Sequence, residues 1–262
     1  MNEMAVQVCP ICGLTMPLVR CPNDGSRMME PGWIYSVLRP LKGGAVVGGR
    51  YVIEYEMATG SSSRVYMAID NITGRSVAVK ILAVDTSLDT EPVLARLVQQ
   101  AQAVAGLTSV HTVTLYDIGS GVSGSFLVFE LVDGRLLGEM LEKLRKKHRK
   151  MLPDAVCELA AGVLRSLAEA HEAGIVHGNV SPQHIALGHT GCGELTVKLF
   201  GFGSVRTEGG RLTRDGVTGV PAYMSPEQIK NQPVDGRSDL YALGVMLYRC
   251  VSGKLPFVGK EG

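Results

Sequence analysis

The chain has 262 residues, 45% of them hydrophobic and 19% charged, with 26 Lys and Arg against 25 Asp and Glu for a net charge of +1. Such a composition can bury a core and excludes a disordered chain, and the balanced charge gives no electrostatic reason to expect nucleic acid or an anionic membrane surface. No apolar run reaches the roughly 18–20 residues that span a bilayer, and the opening MNEMAVQVCP has no basic region followed by an apolar stretch, so neither a membrane segment nor a secretory signal is read and a cytoplasmic location is expected.

Three of the six Cys fall within the first 21 residues. Cys9 and Cys12 form C-x-x-C followed by Gly13, and Cys21 opens C-P-N-D, with Asp24 where a second knuckle would place its last Cys. Two knuckles so spaced resemble a zinc ribbon. Thiolates and a carboxylate can complete a tetrahedral Zn²⁺ site, and a module of about 25 residues has too little apolar surface to fold without help from a metal. Cys9, Cys12, Cys21 and Asp24 are therefore the candidate ligands of a structural Zn²⁺. A His or a water is the alternative to Asp24, and reduced cysteines in an unstructured tail are the plain alternative to the whole site. Residues 1–28 are read as this module. Residues 29–48, with Pro31, Gly32, Pro40, Gly43 and Gly44, are read as a linker that Trp33, Ile34 and Tyr35 dock onto a neighbouring surface.

From Arg50 the pattern changes. RYVIEYEM and SRVYMAID alternate as strands do, with ATGSSS between them, and RSVAVKIL is a third strand. EPVLARLVQQAQAVAGL has helical spacing, and FLVFELV is a further apolar strand. KLRKKHRK, Lys143–Lys150, is a basic run placed between helices, read as a solvated face with docking of an acidic partner as the alternative. DAVCELAAGVLRSLAEAHEAG is a long amphipathic helix that Gly174 would cap. Short strands follow at IALG and TVKLF. DLYALGVMLYRCVSG is apolar nearly all round and is expected to be buried. Strands first and helices later predict an α+β, two-lobed arrangement.

Five motifs stand in order: Val77-Ala78-Val79-Lys80, His177-Gly178-Asn179-Val180-Ser181-Pro182-Gln183-His184-Ile185, Gly201-Phe202-Gly203, Pro221-Ala222-Tyr223-Met224-Ser225-Pro226-Glu227, and Ser238-Asp239-Leu240-Tyr241-Ala242-Leu243-Gly244. Over residues 49 to 257 the chain resembles a bacterial-type serine/threonine protein kinase domain with degenerate catalytic motifs, a pseudokinase. The cysteine module resembles the short zinc-ribbon-like segment that precedes some bacterial kinase-like domains. The resemblance implies a β-rich N-lobe over 49–132 and a helical C-lobe over 133–262. The C-lobe is expected to be incomplete, because the family carries further helices after the apolar one; either the chain is a fragment or something else covers that helix.

The resemblance also assigns roles. The phosphate-covering loop G-x-G-x-x-G-x-V corresponds to residues 58–65, where only Gly60 matches a glycine. Lys80 matches the lysine that contacts the nucleotide phosphates, and Gln100 stands for its usual glutamate partner; an amide can hydrogen-bond an ammonium but cannot neutralise it. In the loop H-R-D-L-x-x-x-N, Asn179 replaces the general base, Ser181 the lysine that steadies the transferred phosphate, and His184 the asparagine that holds a Mg²⁺. Gly201 replaces the Asp of D-F-G, the main Mg²⁺ ligand. No catalytic position is thus intact among Asn179, Ser181, His184, Gly201 and Gln100. Gly178 replaces an arginine that collects phosphate from the activation segment, so phosphorylation at Thr207, Thr213 or Thr218 would lack its usual contact.

The adenine slot has candidates of its own. Val65 and Ala78 would form its roof, and Glu130 to Val132 would be the hinge whose backbone binds adenine, with Phe129 at its back. ATP binding without the usual two Mg²⁺ is the expectation. The leading functional reading is a signalling scaffold or allosteric module that works through a protein partner. The alternatives are a weak or unorthodox ATP-dependent protein kinase and a decayed kinase without a role.

Overall fold

The computed structural model of the chain describes residues 7–8, 15–16, 40–59, 63–82, 101–102, 104–121, 124–189, 195–202, 206–207 and 221–257. Strands β1 (Gln7–Val8) and β2 (Thr15–Met16) pair antiparallel, with Gln7 opposite Met16. The described residues fall into two compact units: those up to Ala101 and Leu115–Leu131 form the first, and Gln102–Thr114 and those from Val132 onward form the second.

The first unit is built on a six-stranded antiparallel sheet of order β3-β4-β5-β6-β8-β7. Its strands are β3 (Val46–Val47), β4 (Tyr51–Thr59), β5 (Ser63–Asp70), β6 (Ser76–Leu82), β7 (Leu115–Gly121) and β8 (Gly124–Glu130). The period-2 alternation expected of SRVYMAID and RSVAVKIL is realised. Tyr66 and Ala68 alternate with half-buried Val65, Met67 and Ile69, and Val77, Val79 and Ile81 are buried between exposed or half-buried neighbours. Tyr66, Ala68, Val77, Val79 and Ile81, with Tyr51, Ile53, Phe126 and Val128, form the unit's core. At one end of the sheet Arg50 donates Nε and Nη2 to the two carboxylate oxygens of Asp70 at 2.8 and 2.7 Å, which fixes the β4 and β5 ends together. Strand β7 is an addition to the sequence reading: Asp117, Gly119 and Gly121 interrupt its apolar pattern, and pairing with β8 supplies what propensity does not.

The second unit holds helices α1 (Leu137–Lys146), α2 (Pro153–Glu172), α3 (Pro226–Ile229) and α4 (Gly236–Ser252) and a three-stranded sheet of order β12-β11-β9, with β9 at Arg135–Leu136, β11 at Ile185–His189 and β12 at Leu195–Leu199; α1 and α2 pack against the sheet, and α4 packs on α2. A short pair, β10 (Ile175–Val176) with β13 (Arg206–Thr207), stands apart from it. Pro153 opens α2 at its first turn, and Gly174 just past its end takes the left-handed φ of +71° that the sequence reading assigns to a cap. Leu159, Val163 and Leu167 of α2 pack with Val197, Leu199, Leu243 and Met246 in a single core. Glu169 of α2 accepts from the backbone N–H and hydroxyl of Thr108 at 2.6 and 2.7 Å and from the N–H of Ser109 at 2.8 Å, tying that segment to the helix.

Two expectations are corrected. Helix α4 is not buried all round: Asp239, Ala242, Leu243, Met246 and Cys250 face the core, whereas Leu240, Tyr248 and Val251 are about half exposed (46%, 49% and 47%). An all-apolar sequence cannot say which stripe its neighbours cover, because every face qualifies. The basic run is only partly a connection, since Lys143–Lys146 form the last turn of α1, where cations complement the helix C-terminus. Among the described residues no helix is long and apolar enough to cross a membrane.

Candidate functional site

In the first unit the register of β5, β6 and β8 sets Val65, Lys80 and Leu127 in one cross-strand row and Met67, Ala78 and Phe129 in the next. Directly paired residues share a face, and successive residues along a strand face opposite ways. Val65, Ala78, Lys80 and Phe129 therefore stand together on the face opposite Tyr66, Val79 and Val128, which lie in the core. Lys80 is half-buried, and burial pulls its ammonium below the ordinary lysine value; among the described residues no charge offsets that burial. Glu130 closes β8 opposite Val77, and Val132 follows two residues on, both half-buried.

At the β4–β5 hairpin, Thr59 lies opposite Arg64, whose Nη1 reaches both carboxylate oxygens of Glu56 at 2.8 Å. The Thr59 hydroxyl donates to the same carboxylate. This knot at the hairpin base is not part of the sequence reading; a Glu and an Arg eight residues apart meet only because the hairpin folds between them. Gly60 and Gln100, the expected neighbour of Lys80, lie outside the described residues, as do most of the helix read over EPVLARLVQQAQAVAGL and Cys9, Cys12, Cys21 and Asp24.

In the second unit the loop after β10 is held by its backbone. Asp239, 1% exposed, accepts from the N–H of His177 at 2.9 Å, from the N–H of Gly178 at 2.7 Å and from Nε2 of His171 at 2.8 Å. Gln228 donates Nε2–H to the carbonyl of Gly178 at 2.8 Å. Gln228 itself is fixed by a capping box with Ser225, a pattern legible in S-x-x-Q. Gly178 takes a φ of +71°, which glycine adopts at no steric cost.

His177 is fully buried. Its Nε2 faces the Phe200 carbonyl at 3.1 Å and its Nδ1 the N–H of Asn179 at 3.2 Å. A carbonyl only accepts and an N–H only donates, so the ring carries its proton on Nε2. Burial lowers its pKa against the opposing pull of Asp239, which keeps it neutral. The ring of Phe202 lies 4.5 Å from it, centroid to centroid. His177 and Phe202 are thus framework.

Asn179, Ser181 and His184 are brought together, but for each other. Nδ1 of His184 stands 2.9 Å from the carbonyl of Asn179 and 3.1 Å from the hydroxyl of buried Ser181. The carbonyl makes Nδ1–H the donor, shared between the two oxygens. Gly201 lies against the same ring: a Cβ built there would stand 2.3 Å from Cδ2 of His184.

Chemically, Asn179 is neutral and cannot serve as a general base, a role worth roughly 10²–10⁴ in rate. A hard, oxygen-seeking cation such as Mg²⁺ needs carboxylates or carbonyls, and these two positions offer an imidazole and a glycine. The residues do not fit the cation. Among the described residues no group of three or more His, Cys, Asp or Glu is placed to hold a metal.

Residues 51–262 match the protein kinase domain. A probable serine/threonine-protein kinase of Streptomyces coelicolor is 38% identical over 221 residues, covering 81% of this chain and 32% of its own length. The serine/threonine-protein kinase PknL of Mycobacterium tuberculosis is 38% identical over 217 residues, covering 82% of this chain and 52% of its own. A probable serine/threonine-protein kinase of Clostridium acetobutylicum is 34% identical over 214 residues, covering 82% and 32%. The chain spans about a third to a half of the length of these relatives.

Proposed function

Because this chain belongs to the protein kinase domain family, as a serine/threonine-kinase-like member, we propose that it works as a pseudokinase: a binding module that engages a protein partner and holds ATP without the usual two Mg²⁺. The observation that carries this reading is the pair His184 and Gly201 at the positions where the family's cation ligands belong, with Asn179 in place of the base. Lys80, with Val65 and Ala78 on the same sheet face, supports nucleotide contact. The backbone of the segment from Glu130 to Val132 would supply the adenine hydrogen bonds. The scaffold around the loop supports a folded module over a decayed one, since the buried Asp239 carboxylate, the Gln228 amide and the His177 ring are each hydrogen-bonded.

The N-terminal module takes a structural Zn²⁺ through Cys9, Cys12, Cys21 and Asp24. The pairing of β1 with β2 on either side of the Cys9–Cys12 knuckle is what supports it.

The test is a thermal-shift titration with ATP, in Mg²⁺ and in EDTA, paired with a phosphotransfer assay. A ligand that binds only the folded state raises its stability. A shift that persists in EDTA, with no transfer, is the expected result. A shift that requires Mg²⁺, with transfer to protein, would establish the alternative, an unorthodox protein kinase that makes use of Lys80.

A further inference from the structure

We infer that His184 and Gly201 form one steric unit: the imidazole occupies the volume that any side chain at 201 would need, so the cation pocket is closed by a ring as well as stripped of its ligands. A Cβ at 201 would meet three atoms of that ring, Cδ2 at 2.3 Å, Cγ at 2.9 Å and Nε2 at 3.0 Å. Contacts under about 3 Å lie far inside the optimum separation of non-bonded heavy atoms, so something must move.

The ring has little room to move. Its Nδ1–H is shared between the Asn179 carbonyl at 2.9 Å and the Ser181 hydroxyl at 3.1 Å. The Phe200 ring meets it edge-on at 5.8 Å, and His177 stands 6.0 Å away. Its backbone is pinned as well, the N–H to the Ser181 carbonyl at 2.9 Å and the carbonyl to the Phe200 N–H at 3.0 Å. Swinging the imidazole aside breaks the bonds that order residues 179–181. The backbone of Gly201 adds a second demand, a φ of +91°. The two positions therefore constrain each other. With His184 present, 201 must be glycine, and restoring a carboxylate at 201 does not by itself reopen the pocket. This deepens the metal-free reading of the site and rests on it only for the role of the pocket, since the steric coupling holds whatever the protein binds.

The experiment is a double-mutant cycle on the full chain in EDTA, without nucleotide: wild type, Gly201→Ala, His184→Asn and the double variant, each unfolded in urea. The strain of alanine at a left-handed φ is present with either residue at 184, and the bonds lost with His184 are lost with either residue at 201, so both cancel in the cycle. Gly201→Ala is expected to shift the folding equilibrium at least tenfold less in the His184→Asn background than in the wild type. An equal cost in both backgrounds overturns the inference. If Gly201→Ala yields no folded protein, recovery of a cooperative transition in the double variant supports the coupling, and failure to recover it overturns it.

A second arm reads the pocket with Mn²⁺ and ATP by electron paramagnetic resonance, comparing Gly201→Asp with Gly201→Asp/His184→Asn. Uptake by the double variant alone is expected; equal uptake by both, or by neither, overturns the claim that the ring closes the pocket. Phosphotransfer by the wild type would sink the pseudokinase reading and leave the stability cycle untouched, so the two failures are distinguishable.

Discussion

Asp239 holds His177 by its backbone: the buried carboxylate accepts the His177 N–H at 2.9 Å while its other oxygen takes the N–H of Gly178 at 2.7 Å. One side chain on α4 thereby fixes the conformation of a loop 62 residues earlier in the chain. Leaving a buried donor unsatisfied costs about 1–3 kcal/mol. Asp239→Ala is expected to destabilise the protein by about 3 kcal/mol, and Asp239→Asn by roughly half of that, because one of its two terminal groups still accepts. Urea unfolding checks the order; equal losses for the two variants would show that charge, and not acceptor count, is what holds the loop.

Acid should weaken the same region through His177. Burial depresses its pKa below the ordinary value of 6.5, so the unfolded chain binds the proton first as pH falls. Its contribution to stability is complete above pH 6.5 and is lost as the pH falls from there through the depressed folded value. The slope is at most about 1.4 kcal/mol per pH unit for one proton. Urea midpoints at pH 7.5 and 5.5 should separate more for the wild type than for His177→Phe, whose ring has no proton to gain; parallel shifts would assign the acid sensitivity elsewhere.

Lys80 offers a test with opposed readouts. Burial lowers its pKa, and among the described residues nothing offsets that cost. The cost is present in full below the depressed folded value, where the ammonium is charged in both states, and is relieved as pH rises from there toward the unfolded value of 10.5. Lys80→Met should leave the apparent stability equal to or above that of the wild type at pH 7.5. The same substitution should abolish most of the ATP-induced stabilisation, which is about 2.7 kcal/mol at a ligand concentration of 100 Kd. Loss of stability with full ATP response would show that Lys80 is structural.

Gly162 sits mid-way along α2, where Gly→Ala ordinarily stabilises a helix by about 0.5–1 kcal/mol. Here a Cβ would stand 2.7 Å from Cβ of Val197 on β12. Overpacking of a well-filled core costs about 1–3 kcal/mol, so Gly162→Ala is expected to destabilise by about 1 kcal/mol net. In a Val197→Ala background it should cost less, read from urea midpoints at constant m. A stabilising Gly162→Ala in the wild type would show that helix and strand can separate without penalty.

Removal of metal should act on the N-terminal module alone. One equivalent of zinc is expected by elemental analysis of the purified chain, and none in Cys12→Ser. The unfolding transition of residues 49–257 should be unchanged within error, because the ligands Cys9, Cys12, Cys21 and Asp24 all precede it. Substoichiometric zinc in the wild type would favour ordinary reduced cysteines.

The sequence by itself determined strands β4, β5, β6, β8, β11 and β12, helices α2 and α4, and the identity of the motif positions. Period-2 alternation at Tyr66, Ala68, Val77 and Val79 marks strands because the pleat sends alternate side chains to one core. The chemical content of the site was equally legible, since no fold can make a base of Asn179 or a ligand side chain of Gly201. Tertiary structure decided what needs distance in space. It showed that α4 leaves Leu240, Tyr248 and Val251 exposed, that Gly119 and Gly121 lie in a strand, and that Asp239 and Gln228 converge on Gly178. It also decided that His184 and Gly201, which a sequence presents as two separate substitutions, are one packing arrangement. Local patterns report what each residue prefers, and only the folded backbone brings an imidazole and a missing Cβ into the same few cubic ångströms.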